Sequence, residues 1–441
     1  MAARIEWVNH ASFIYDDGHI RLISDPWLEG RTFYNGWDLL APTAMSFDEF
    51  ATITHIWISH EHPDHLSPPN LARIAPDVRA RITVLYQATP VRRVLKYLAS
   101  LGFREVVELQ PQWTPLSPET DVLCGPCRTS TSDDSYLALR TDGKTTLNLN
   151  DCAPSGVAGI RSIKALVGPP DVLLAQFSIA CWTGNRDQYD KRALASRMVE
   201  NSYLLNVREL AAPFVIPAAS FSWFCNVENS WMNETAPRVE AIAQETREAG
   251  STPVVLYPGD VWELCAPHDN RSAIERYNAR YARTEEPEGL FANPTVEIAT
   301  LKAHALTFGE KIRKANQAML LRLLRPAKIF LDDHGAAFSF CLRDGLREIS
   351  EARENCDVAL GSDGLDYCFK YLWGGDTLNI NGRFEKPPRG KFSRFRVYFA
   401  IASLNNAGVR FDTTYLARNA AVVFAKFFEY RRGNDSLKPT V

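Results

Sequence analysis

The sequence predicts an α/β chain with a smaller α+β unit behind it, on three observations. Short apolar runs rich in β-branched and aromatic residues recur through the first third of the chain, and stretches of helical period separate them. Past Val255 the texture turns charged and helix-prone. Strand-like runs return at Ala327. Strands alternating with helices on this scale predict a layered sandwich.

Taken in order, residues 5–8, 12–15, 20–23 and 53–58 are short apolar runs broken by Asp16-Asp17-Gly18 and Gly30, which reads as paired strands. Residues 83–86, 105–109, 136–140 and 145–149 continue the series. Apolar residues three and four apart predict helices over 90–101 and 187–205. The stretch 270–325 is helix-prone, with ARYARTEEPEG as a boundary loop between two helical stretches. Residues 328–331 and 337–342 read as strands, and the tail 392–430 as helices. The expected division is 1–270 as a first α/β domain, 271–325 as a helical linker and 326–441 as a C-terminal α+β domain with a helical tail.

A length of 441 residues exceeds one typical domain, and 46% hydrophobic residues suffice for a buried core. A net charge of -3 supplies no general pull toward nucleic acid or an anionic membrane. The N-terminal stretch MAARIEWVNHASFIYDD lacks a basic segment followed by an apolar one, and no uncharged apolar run of about 18 residues occurs. A cytoplasmic protein is expected. Nine scattered cysteines argue against a disulfide framework and agree with a reducing compartment. Cys124 and Cys127 form a single C-x-x-C whose Gly-Pro centre is simple turn chemistry, so a structural role is expected.

The chemistry is concentrated in IWISHEHPDHLSPPN, residues 56–70. The run Ile56, Trp57, Ile58 reads as a buried strand, and Pro63 with Pro68-Pro69 holds the following chain out of helix at first. His60, His62, Asp64 and His65 therefore hang off a strand end. Imidazole and carboxylate together suit zinc, iron or manganese, and such a turn can aim two side chains at one ion and two at a neighbour. Downstream, TTLNLNDCAPSG reads as a strand ending at Asp151, a carboxylate placed to bridge two ions.

The H-x-H-x-D-H pattern with a later strand-end Asp resembles the metallo-β-lactamase superfamily, which implies an αββα sandwich with metals at the edge between its sheets. The blocks WVNHASFIYDD, SDPWLEGRTFYNGWDLL, ISHEHPDHLSPPNL and LNLNDC resemble, in order and spacing, the metallo-β-lactamase-like domain of the cytidine-monophosphate N-acetylneuraminate hydroxylases over about 4–155. That family carries a Rieske iron-sulfur domain, which needs Cys-x-His and Cys-x-x-His pairs. No Cys-x-His occurs here, and Cys265-Ala-Pro-His268 alone cannot hold that cluster. Electrons for oxygen chemistry would then come from a separate electron-transfer protein or from the substrate.

The chain departs from the superfamily pattern in its histidines. None lies between His65 and Asp151, where TSTSDDSY offers Ser130, Asp133 or Asp134 instead. For the last ligand, the strand PFVIPAAS leads to FSWFCNVENSWMNE, with Asn226, Glu228 or Asn229 as donors. An oxygen-richer site of this kind favours iron or manganese over zinc. The expected metal ligands are His60, His62, Asp64, His65, Asp151 and Glu228; Asp64, Glu228 and His10, which the resemblance places near the site without ligating, are the candidate catalytic residues. Asp25, in SDPW, is expected to hold the motif's loop by accepting backbone N–H bonds. Asp332-Asp333-His334 reads as a charged turn. The stretch GSDGLDYCFKYLWGGDTLNINGRFE resembles a sterol-carrier-like fold, an apolar helix, then Gly-Gly and a strand ending in N-G-R-F, which implies a homodimer contact or a lid. The expected function is an iron oxygenase, of one or two ions, acting on a small polar substrate in a biosynthetic pathway. A dinuclear zinc hydrolase of a phosphoester, amide or lactone is the alternative.

Overall fold

The computed structural model describes residues 3–89, 92–128, 133–285 and 289–419. Ser130 and the Asp133 side chain lie outside the described residues, as does the tail from 420. Two seven-stranded sheets dominate. The first runs Val261–Glu263, Arg4–Asn9, Ser12–Asp16, Arg21–Ser24, His55–Ile58, Thr83–Gln87, Glu105–Leu109. The second runs Thr252–Pro253, Phe214–Ala218, Val172–Gln176, Lys144–Asn148, Asp133–Thr141, Thr120–Arg128, Thr114–Pro115.

Period-two alternation builds the layers. Trp57 points between the sheets, where it packs with Trp7, Phe13, Leu137, Leu147 and Val215. Its neighbours Ile56 and Ile58 face outward, against Leu71, Leu95 and Leu98 of the covering helices Pro68–Arg73 and Arg93–Ser100. On the far side, helices Gly156–Val167, Tyr189–Leu210 and Val239–Glu248 bring Ile160, Tyr203 and Ile242 onto the second sheet. This is an αββα sandwich, the architecture that the resemblance implies. Because both faces of each sheet are covered, central strands such as His55–Ile58 read as unbroken apolar runs.

Two local expectations change. The Pro68-Pro69 pair opens the helix Pro68–Arg73 rather than delaying it, since the missing N–H is an unpaired donor at a helix start anyway. Cys124-Gly-Pro-Cys127 lies inside the strand Thr120–Arg128 and is no turn. Gly125 is needed there because a Cβ would run into the Tyr136 ring across the hairpin. Burial pushes the Cys124 thiol up to about 11, in keeping with a structural residue.

Behind the sandwich, a four-stranded sheet of order Gly345–Ile349, Ala336–Cys341, Ala327–Leu331, Val358–Leu360 carries helices Ile298–Ala315, Ser362–Lys370 and Phe392–Asn406 around a second core containing Phe308, Phe340 and Phe399. The strand expected in DTLNIN is instead the helix Gly374–Asn381. The Gly-Gly pair permits it: a Cβ on Gly374 would meet the Cys368 backbone, and one on Gly375 the Phe399 side chain. Gly382, at φ 67°, then ends the helix. The 271–325 region carries two long helices with different allegiances and the short helix Ala318–Leu321. Tyr277 of Arg271–Glu285 belongs to the sandwich core, and Phe308 of Ile298–Ala315 to the second core. We therefore propose a domain divide between Glu285 and Ile298. No helix among the described residues is long and apolar enough to cross a membrane.

Candidate metal centre

The parallel strands Arg21–Ser24, His55–Ile58, Lys144–Asn148 and Val172–Gln176 deliver their C-terminal ends to one edge of the sandwich, where open α/β sheets place their ligands. Asp25 follows the first, at φ 37°. After the second, the loop closes through His65 N–H to the His62 carbonyl at 3.0 Å and Leu66 N–H to the same carbonyl at 2.8 Å, which gathers His60, His62, Asp64 and His65. After the third, Asn150 turns left-handed at φ 53°, supported by its own N–H on Asn148 Oδ1 at 2.9 Å, and presents Asp151.

Three overlapping ligand groups result, each with donor atoms close enough to share one ion: His60, His62 and Asp134; His60, His65 and Asp151; and His10, Asp64 and His65. Asp151 Oδ2 lies 3.3 Å from His65 Nε2 and 3.9 Å from His60 Nε2, between the outer groups. Asp64 Oδ2 lies 3.5 Å from both His65 Nε2 and His10 Nε2. Asp134 Oδ1 lies 3.8 Å from His60 Nε2.

The donors fit a metal. Both His10 ring nitrogens, His65 Nε2, Asp64 Oδ1 and Asp151 Oδ1 are buried with no hydrogen-bond partner. Convergent, unsatisfied, buried donors of this kind are costly unless a cation meets them. Their supports are fixed from behind. Ser59 Oγ donates to Asp25 Oδ2 at 2.8 Å and lies 2.9 Å from His60 Nδ1, while His65 Nδ1 lies 3.0 Å from Asp25 Oδ2. With Nδ1 of both rings tied to these supports, Nε2 is the ring atom aimed at the centre. Asp25 also accepts from the Ser59 N–H at 2.8 Å and from Asn150 Nδ2, so one carboxylate ties both loops together.

Electrostatics agree with this arrangement. Burial, with His65 nearby, pushes His60 down to about 4, and burial with His60 lowers His62, so both rings are neutral bases ready to ligate. Burial would lower His65 too, but Asp64, Asp151 and Asp25 outweigh it and hold the ring well above the usual histidine range. A positive charge is favoured at this spot. As a positioning residue, Asp25 should matter without touching the metal: Asp25→Ala is expected to weaken metal affinity by about 10–100-fold, read by competition with a chromophoric chelator.

Residues His60, His62, Asp64, His65 and Asp151 come together, and His10 shares a donor group with Asp64 and His65. Of the three donors offered by TSTSDDSY, Asp134 reaches the site among the described side chains. Glu228 does not belong to these groups. Its carboxylate accepts from Arg383 Nε at 2.8 Å and Nη2 at 2.5 Å, and Arg383 also holds Asp363 at 2.7 Å. A carboxylate committed to a buried guanidinium is not free to ligate, so Glu228 is corrected from ligand and catalyst to a packing ion pair. The amides Asn226 and Asn229 are likewise spent on backbone groups of 35, 36 and 381. Asp333 accepts from the Ser362 N–H, and His334 Nε2 sits 2.9 Å from the Val296 carbonyl, a structural turn. His268 is paired with the Val255 carbonyl in the same manner.

Residues 4–121 match the family model described as a beta-lactamase superfamily domain. This region is a metallo-β-lactamase superfamily domain. Among curated relatives, a protein of Mycolicibacterium smegmatis named as a putative Rieske 2Fe-2S iron-sulfur protein is 26% identical over 182 residues, 40% of this chain and 34% of that protein. The cytidine monophosphate-N-acetylneuraminic acid hydroxylase of Danio rerio is 33% identical over 102 residues, 22% of this chain and 16% of the hydroxylase. The chain thus spans about a third and about a sixth of these two relatives. Among solved structures, CmlA, a diiron beta-hydroxylase from Streptomyces venezuelae, aligns with TM-score 0.43 and 17% identity, covering 60% of this chain and 54% of its own.

Proposed function

We propose that this chain is a non-haem iron oxygenase with a dinuclear site. One ion is held by His60, His62 and Asp134 and the other by Asp64, His65 and His10, with Asp151 between them. The carrying observation is Asp134 beside His60 and His62, in the place where the superfamily's hydrolases supply an imidazole. Every group of the site then contains a carboxylate, and oxygen-rich mixed ligation favours iron or manganese over zinc. Iron there supplies the one-electron steps that dioxygen activation requires. The protein's own part is to hold the ions, through the Asp25 and Ser59 supports, in a buried carboxylate-rich pocket. The fish relative is named a hydroxylase and the mycobacterial one a Rieske protein, which supports oxygen chemistry fed by an electron-transfer protein on a small-molecule substrate.

A dinuclear zinc hydrolase is the second reading, favoured by one observation: His10 gives the Asp64–His65 group a second imidazole, as zinc prefers. The two readings separate in one experiment. Iron-loaded protein with a chemical reductant is expected to consume dioxygen, and zinc-loaded protein to leave a generic phosphodiester and a lactone intact. Hydrolysis of either ester by the zinc form, with no oxygen uptake by the iron form, would overturn the oxygenase reading.

A further inference from the structure

Phe33, Tyr34 and Asn35 are three consecutive residues at positive φ, 47°, 55° and 59°. Side chains other than glycine rarely enter that region singly, and a run of three persists only where its surroundings enforce it. Here Asn381 and Arg383 of the C-terminal unit do so, with Asn229 of the sandwich beside them. Asn381 Nδ2 donates to the Phe33 carbonyl at 3.1 Å, Arg383 Nη1 to the Tyr34 carbonyl at 3.2 Å, and Asn229 Nδ2 to the Gly36 carbonyl at 2.9 Å.

The consequence is that two adjacent rings part company. Phe33 lies edge-on to the candidate ligand His62, with centroids 5.9 Å apart, and Tyr34 stacks on Tyr367 at 4.3 Å. Ring contact continues from Tyr367 to Tyr371 at 4.7 Å and from Tyr371 to Trp373 at 5.0 Å, and Trp373 Nε1 donates to the Tyr367 hydroxyl at 3.3 Å. The ladder ends in the open: Tyr371 is 39% and Trp373 45% exposed. Core packing accounts for a buried ring such as Phe33, but not for a row of phenols and an indole leading outward to solvent.

We propose that Tyr34, Tyr367, Tyr371 and Trp373 form a path by which oxidising equivalents leave the metal centre for the surface when no substrate is present, to be quenched there by a small thiol. The proposal rests on the oxygenase reading above. Phenol and indole surrender an electron only to a strong oxidant, so the ladder carries oxidising equivalents outward and does not relay electrons inward from a mild donor. Phe33 is not itself oxidised; its ring lies against His62 and its backbone runs directly into Tyr34, the first oxidisable ring from the centre. With hydrogen peroxide as the oxidant, two electrons and two protons reduce it to two waters. The electrons pass one at a time along the ladder from Trp373, whose loss is made good by two thiols that become one disulfide and release the two protons. The sum is one peroxide and two thiols giving one disulfide and two waters.

The test uses the full iron-loaded protein without substrate and with hydrogen peroxide in place of dioxygen. Freeze-quenched electron paramagnetic resonance is expected to show an aromatic radical, and peptide mass spectrometry an added oxygen at Trp373 that prior addition of glutathione suppresses. Tyr367→Phe, at unchanged metal content and thermal stability, is expected to lower the Trp373 mark by about tenfold. Trp373→Leu, at the surface, is expected to lower peroxide-driven glutathione oxidation by the same factor. Tyr189→Phe, exposed and off the ladder, should change neither. Equal marking of Trp373 in the Tyr367→Phe protein or in the zinc-loaded protein, or no aromatic radical in the unaltered iron form, would overturn the path. Dioxygen uptake decides the oxygenase reading independently, because the peroxide reaction needs none.

Discussion

Asp151→Asn is expected to empty the metal centre further than any other single carboxylate change. Asp151 Oδ2 lies 3.3 Å from His65 Nε2 and 3.9 Å from His60 Nε2, one from each outer donor group, whereas Asp134 is grouped with His60 and His62 alone. Elemental analysis should therefore find near-complete loss of metal in Asp151→Asn, loss of one ion per chain in Asp134→Ala, and at least one in His60→Ala and His62→Ala. His334→Ala, in a turn paired to the Val296 carbonyl, should retain the full complement. Metal loss also removes binding free energy from the folded state. At a metal concentration a hundredfold above Kd that is about 2.7 kcal/mol, visible as a melting temperature that no longer responds to added metal. A full complement in Asp151→Asn would remove Asp151 from the bridging position.

The second large effect lies away from the metals. The Arg383 side chain is 1% exposed and neutralises Glu228 and Asp363, whose side chains are 28% and 5% exposed. Burial raises the Glu228 carboxyl despite the opposing guanidinium, so its charge depends on that one partner. Arg383→Met strands the buried Asp363 and the partly buried Glu228 without their cation, and should cost about 3–5 kcal/mol in denaturant unfolding. Glu228→Gln leaves a neutral acceptor against the guanidinium and should cost about 1–3 kcal/mol. Neither variant should alter metal content. Adding Asp363→Asn to Arg383→Met should recover part of the loss, since it removes one of the stranded charges. Loss of metal in Glu228→Gln at unchanged stability would return Glu228 to the metal centre.

How far the sequence could be read tracks how local each signal is. HEHPDH is six residues whose function is visible in their own spacing, and Asp151 announces itself as the acid at a strand end. Asp25 was legible as an acceptor of backbone N–H bonds, and it takes the Ser59 N–H. Asp134 stood among alternatives because which neighbour in a strand faces the edge depends on register, set here by Asp134 opposite Cys127. Glu228 was misread because its partner Arg383 is 155 residues away, and nothing in FCNVENSWMNE reports a guanidinium folded back from another unit. The helix Gly374–Asn381 was misread for a related reason. Gly-Gly followed by Thr and Ile favours a strand locally, whereas close approach to Cys368 and Phe399 makes the glycines a packing surface. The aromatic ladder was invisible, since Tyr34 and Tyr367 meet only through the fold.

The most direct test of the account is a pair of anomalous difference maps, recorded at the iron and zinc absorption edges, from crystals of protein made in iron-supplemented cells. Two iron peaks are predicted, one touching His60, His62 and Asp134 and the other Asp64, His65 and His10, with Asp151 reaching both. A single peak, two zinc peaks without iron, or an ion bound to Glu228 would contradict it.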